Sequence, residues 1–75
     1  MDDSIVLYEC VKKCRGRISE CRGAMAISPR DKDTQISGTN IIAFQKDLIV
    51  GLRNIAIKLG YTDENYLSEF NTEDL

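Results

Sequence analysis

Three cysteines, Cys10, Cys14 and Cys21, are the side chains of this sequence whose type and spacing come closest to chemistry. Cys10 and Cys14 lie one helical turn apart and could supply two ligands to zinc, which needs three or four. Cys21 lies about 10 Å further along a helix, too far to complete the set. A thiol nucleophile needs a general base, and the sequence has no histidine. We therefore expect no metal, no cofactor and no enzymatic activity.

The cysteines follow an apolar stripe on a helix. Steps of four and three residues produce this stripe: Leu7, Val11, Cys14, Ile18, Cys21 and Met25. Such a repeat is typical of the seam between two packed helices, in which cysteine serves as a small apolar side chain. An odd number of cysteines on an apolar stripe favours reduced thiols. We expect a cytoplasmic protein, from a bacterium or from a virus that infects one.

Helical periodicity, without a good strand pattern, predicts an all-α chain with one domain over residues 1–75. The expected architecture is an antiparallel helical hairpin with a short C-terminal helix. The expected segments are a helix over about 5–27, a short turn or helix over 29–37, a helix over about 40–59 and a short helix over about 63–70.

Serine, proline and glycine set the predicted boundaries. Ser28 and Pro29 have the pattern of an N-cap followed by a first helical residue, which predicts a helix start there. Gly38 is expected to break or bend that short helix. Gly60 is the expected C-cap of the second long helix, with Lys58 in its last turn.

The second long helix has more apolar surface than one neighbour can cover. Its main stripe consists of Ile41, Phe44, Leu48, Leu52, Ile55 and Leu59. A flank stripe beside it consists of Ile42, Ile49 and Ala56. Together they form an arc wider than one partner helix would bury, and a chain of 75 residues makes a marginal core alone. We therefore expect a homo-oligomer in which hairpins form a helical bundle.

The net charge of −2 hides a strong asymmetry. Residues 10–32 carry a net charge of +5, and residues 61–75 carry −5. One interpretation is a solvated helix face and a frayed acidic tail. The other is an anion-binding segment, which the tail shields or pairs with in a neighbouring chain. A basic face also fits a small RNA-binding hairpin. No apolar run approaches the roughly 18 residues of a membrane span, so no membrane partner is expected.

Two blocks of sequence carry a resemblance to a known family. The first is Tyr8-Glu9-Cys10-Val11-Lys12, and the second is Ser28-Pro29-Arg30-Asp31-Lys32 followed by Thr34-Gln35-Ile36-Ser37. In order and separation they resemble the helical-hairpin family of phage anti-CBASS proteins, the cyclic-nucleotide sponges. The resemblance covers Tyr8–Ser37. It ends at Gly38, where the family continues with a Lys-Leu-Glu-Glu-Ala type segment and a Met-Trp pair.

The resemblance implies a non-catalytic phage anti-defence protein acting in the cytoplasm of a bacterial host. Such a protein sequesters cyclic di- or trinucleotides between the subunits of a homo-oligomer. Tyr8 is then the residue that stacks on a base, and Arg30, Lys32, Thr34 and Ser37 are those that hold phosphates. The alternative is a small helical protein that binds and inhibits a host protein through its apolar face and acidic tail.

Overall fold

The structure, a computed structural model, describes residues 2–75 and forms a helical hairpin with a short C-terminal helix, as predicted. Its elements are α1 (Asp3–Ile27), α2 (Lys32–Lys58), α3 (Glu64–Leu67) and a 3-10 turn over Ser68–Phe70. The hairpin is long and narrow, with principal extents of 45 × 18 × 17 Å. Most of its surface therefore lies along the two long helices.

The connection between the long helices is shorter than the sequence analysis predicts. Ser28 closes α1, because its backbone N–H donates a hydrogen bond to the carbonyl of Ala24. Asp31 is the N-cap of α2. The expectation of a separate short turn or helix over 29–37, broken or bent at Gly38, is wrong in its bounds, since the turn ends before Lys32 and α2 runs through Gly38 without interruption. Capping by Asp31 starts one continuous helix, and its 27 residues outweigh the propensity loss of a single glycine.

Gly38 is a packing position and not a break. An ideal Cβ atom at Gly38 would lie 2.5 Å from Sδ of Met25, so only glycine leaves room for this methionine as it is placed. One turn earlier on α2, Nε2 of Gln35 donates hydrogen bonds to the carbonyls of Met25 (2.9 Å) and Ser28 (3.0 Å). These contacts hold the start of α2 against the end of α1 and give the Met25 carbonyl, near the end of α1, a hydrogen-bond donor from α2.

The hairpin core is narrow. The buried apolar residues are Leu7, Val11, Cys14, Ile18, Ile49, Ala56 and Phe70. The α1 stripe is thus buried from Leu7 to Ile18, whereas Cys21 and Met25 are only half-buried. On α2 the flank stripe packs against this core, and the main stripe lies mostly outside it. The arc of α2 is therefore covered on one side only by α1.

We predict that Gly38→Leu lowers the free energy of unfolding by about 1–3 kcal/mol, because the new side chain displaces Met25 from the end of α1. Urea denaturation at fixed protein concentration measures the change. Gly16→Leu is the matched control, because an added Cβ there meets no atom within 4 Å. The control should be neutral or stabilising. An equal loss of stability in both variants would contradict the packing role of Gly38.

Candidate functional site

The start of α2, where the sequence analysis expects an anion, is already occupied by a carboxylate. Oδ1 of Asp31 accepts hydrogen bonds from the backbone N–H groups of Asp33 (3.1 Å) and Thr34 (3.3 Å). The Thr34 hydroxyl donates to Oδ2 of Asp31 at 3.0 Å. Hydrogen bonds from the Thr34 side chain and backbone lower the pKa of Asp31. A phosphate at this turn must therefore be held by side chains and not by these two N–H groups.

Four of the five predicted ligand-binding residues lie together at the turn. Arg30 and Lys32 are exposed on either side of Asp31. Thr34 and Ser37 line an open groove of about 310 Å³ between α1 and α2, here called the turn groove. The rest of its lining is Cys21, Ala24, Gly38, Ile41 and the acidic Asp33. The groove thus joins an apolar floor to two hydroxyl groups, with basic side chains nearby.

Tyr8, the fifth predicted residue, lies at the other end of the hairpin. Twenty helical residues separate it from Ser28, which corresponds to roughly 30 Å along α1. Tyr8 is half-buried, and Nζ of Lys12 lies 5.6 Å from the centroid of its ring. One chain therefore does not bring Tyr8 to the turn groove.

Arg15 makes the main polar contact that the sequence analysis did not predict. Its guanidinium donates hydrogen bonds to the carbonyls of Glu69 (3.0 Å) and Asn71 (2.8 Å). It also pairs with the Asp74 carboxylate at 3.4 Å, while its Nε is buried without a hydrogen-bond partner. The charge asymmetry signals this contact, because a base of the positive segment meets the acidic tail within the same chain.

Residues 61–75, here called the C-terminal strap, cover one side of the hairpin. Phe70 is 1% exposed and packs edge-on against Tyr66, with ring centroids 5.1 Å apart. The Tyr66 hydroxyl donates to the carbonyl of Ser4 at 2.8 Å, and burial raises the pKa of Tyr66. The strap is thus a packed segment, and the expectation of a frayed tail does not describe it.

On the side of the hairpin opposite the strap, no segment among residues 2–75 packs over α2. Val50 and Arg53 line the cleft beside the strap. At about 100° per residue, the main stripe lies about half a turn of α2 away from them. Its exposed members are Phe44 (61%), Leu59 (52%), Ile55 (48%), Leu48 (41%) and Ile41 (39%). This strip of large apolar side chains is the most extensive uncovered feature of α2.

The cysteines have three different surroundings. Cys14 is buried, and burial raises the pKa of its thiol. Cys10 and Cys21 are half-buried, and Cys21 lines the turn groove. Among residues 2–75, no three histidine, cysteine, aspartate or glutamate side chains gather as a metal ion would require. Over the same residues, no helix has the length and apolar character needed to cross a membrane.

Comparisons with protein-family models, with curated proteins and with solved structures find no match to this chain.

We predict that the stabilisation by Asp31 depends on pH. Because its folded-state pKa is lowered below the ordinary 3.8, its contribution is present above about pH 4 and is lost as the carboxylate protonates at lower pH. Asp31→Ala should melt at a lower temperature than the parent at pH 7, and the gap should close on acidification. Asp47→Ala, an exposed carboxylate within α2, is the control. A gap that persists unchanged down to pH 2.5 would refute the capping role.

We predict that Arg15→Met loosens the strap without unfolding the hairpin, because it removes the donors to two carbonyls and to Asp74. Hydrogen–deuterium exchange should accelerate over residues 66–75 and change little over α2. Arg17→Met, an exposed base on the same helix, is the matched control. Unchanged exchange in the strap of the Arg15 variant would show that Arg15 does not hold it.

Proposed function

We propose that this chain is a non-catalytic binding protein that sequesters cyclic oligonucleotides between the subunits of a homo-oligomer. The observation that carries the proposal is the turn groove. Its apolar floor suits the face of a nucleobase, and the Ser37 hydroxyl suits a phosphate. The Thr34 hydroxyl, whose proton is donated to Asp31, suits a sugar hydroxyl from which it can accept. Arg30 and Lys32, exposed on either side of Asp31, add positive charge at the adjacent turn. The choice of a cyclic ligand follows from the resemblance over Tyr8–Ser37.

The separation within one chain supports a ligand site between subunits. Tyr8 lies 13 residues before Cys21, the nearest lining residue on α1, which corresponds to roughly 20 Å along the helix. A ligand that stacks on Tyr8 and also contacts the groove must therefore use two copies of the chain. The ring of Tyr8 already carries Lys12 at 5.6 Å, so a base that stacks there meets a cation as well as an aromatic face. We propose that this sequestration takes place in the cytoplasm of a bacterial host, as part of phage anti-defence.

Arg30→Ala with Lys32→Ala should abolish binding of cyclic di- and trinucleotides, since the two N–H groups capped by Asp31 give no compensating phosphate contact. Tyr8→Ala should weaken binding by about 1–3 kcal/mol if the ring stacks on a base. Isothermal titration against a panel of cyclic di- and trinucleotides measures both effects. Lys13→Ala with Arg53→Ala removes the same charge away from the groove and should bind like the parent. The nucleotide should be recovered intact after heating.

If both double variants lost nucleotide binding equally, binding would depend only on the net charge of the chain, which contradicts a site at the turn. Recovery of linearised nucleotide would contradict a non-catalytic role. If the parent binds no nucleotide of the panel, the sponge function is wrong.

The second candidate function is then the inhibition of a host protein, which the exposed main stripe favours, because a partner protein could bury it.

A further inference from the structure

We infer that the main stripe of α2 is the interface between two copies of this chain, packed antiparallel about a point between Ile49 and Val50, in the C-terminal half of α2. This inference deepens the proposed function, on which it rests only for the identity of the ligand in the turn groove. The occupant is a second copy, and three observations support it: the exposed area, the self-complementary order of side chains along the stripe, and the position of the strap.

The exposed area is larger than a monomer of this size should have. The solvent-accessible surface of the folded chain is 5361 Å². A folded monomer of 8.5 kDa is expected to expose about 4,700 Å². The excess of about 700 Å² is close to the roughly 800 Å² that each partner buries in a stable interface of ordinary size. One dimer contact along α2 would account for it.

The exposed stripe is complementary to its own reverse. Gly51 lies beside the main stripe, next to Leu52 in the sequence. Together with Gly51, four residues of the stripe follow one another at steps of three and four, the spacing of a helix–helix seam: Ile41, Phe44, Leu48 and Ile55. An antiparallel pair centred between Ile49 and Val50 sets Leu48 over Gly51 of the second copy and Phe44 beside Ile55. Gly51 has no atom within 4 Å of an added Cβ, so it offers an open gap for the leucine. Such mutual pairing is what a two-fold symmetric interface requires.

The surroundings of the stripe restrict where the second copy can lie. The strap covers the opposite side of α2, where Phe70 packs. On α1, the exposed bases Lys13 and Arg17 lie about half a turn from Arg15, which contacts the strap, so they disfavour a broad apolar contact on the open side. The same register sets Lys58 of the second copy beside Ile41, which lines the turn groove. The second copy then adds a base to the groove, and the ligand site is incomplete without it.

Sedimentation without nucleotide tests the interface. The parent should be a dimer at micromolar concentration. Phe44→Glu should raise the dimer dissociation constant at least roughly 100-fold, because it buries a charge in an apolar contact. Ile36→Glu is the matched control, since Ile36 and Phe44 are both 61% exposed on α2. Gly51→Leu should also give monomers that remain helical by circular dichroism. Gly16→Leu, an equally open glycine on α1, should stay dimeric.

The outcomes distinguish a failure of the proposed dimer interface from a failure of the proposed nucleotide ligand. A monomeric parent, or a Gly51→Leu variant that dimerises like the parent, would overturn the interface. Lys58→Ala should keep the dimer and weaken cyclic-nucleotide binding about tenfold. A dimeric Lys58→Ala variant that binds as tightly as the parent would overturn the contribution of the second copy to the groove. If the parent dimerises as described but binds no nucleotide, the interface stands and the proposed ligand fails.

Discussion

A helix that packs against a single neighbouring helix buries one stripe of side chains. Helix α2 has two apolar stripes, the main stripe and the flank stripe. α1 covers the flank stripe through Leu7, Val11, Cys14 and Ile18. The main stripe then stays exposed, and the hairpin alone has only a narrow core. This mismatch between the apolar arc of α2 and the width of one neighbouring helix governs the arrangement of the remaining elements.

The C-terminal strap covers the side of the hairpin away from the main stripe. Phe70 contributes one of the largest buried side chains, and Tyr66 ties the strap to the start of α1. Arg15 ties its far end to the middle of α1. The strap therefore pairs one acidic residue of the tail, Asp74, with one base of the positive segment, Arg15, within the same chain. Arg30 and Lys32, at the turn, lie outside this contact and keep their charge exposed.

The two long helices were predictable from the apolar periodicity of the sequence. The residue that caps the start of α2 was not, because more than one residue of the turn fits an N-cap. The hairpin and the short C-terminal helix follow from the apolar repeat and from Gly60, whose φ of +92° suits a residue just beyond a helix end. Ser28 and Pro29 also have the pattern of a helix start. Asp31 is the N-cap instead, which depends on how α2 docks against Met25. Likewise, both apolar stripes of α2 were visible, but only three-dimensional packing decides which one faces α1.

The candidate site was predictable in part. Arg30, Lys32, Thr34 and Ser37 are close in sequence, so their proximity at the turn follows from the chain itself. The apolar floor of the turn groove combines Cys21 and Ala24 of α1 with Ile41 of α2, so it depends on tertiary packing. The separation of Tyr8 from the groove follows from the length of α1, whereas the role of Arg15 requires a contact between residues 59 positions apart.

Small-angle X-ray scattering of the parent chain, from millimolar down to micromolar concentration, tests the central claim most directly. The claim is that a second copy covers the main stripe. It predicts a scattering mass of about twice the 8.5 kDa of one chain, and a radius of gyration above the 14.2 Å of the single hairpin. A mass of 8.5 kDa with a radius near 14.2 Å across the whole concentration range would contradict it.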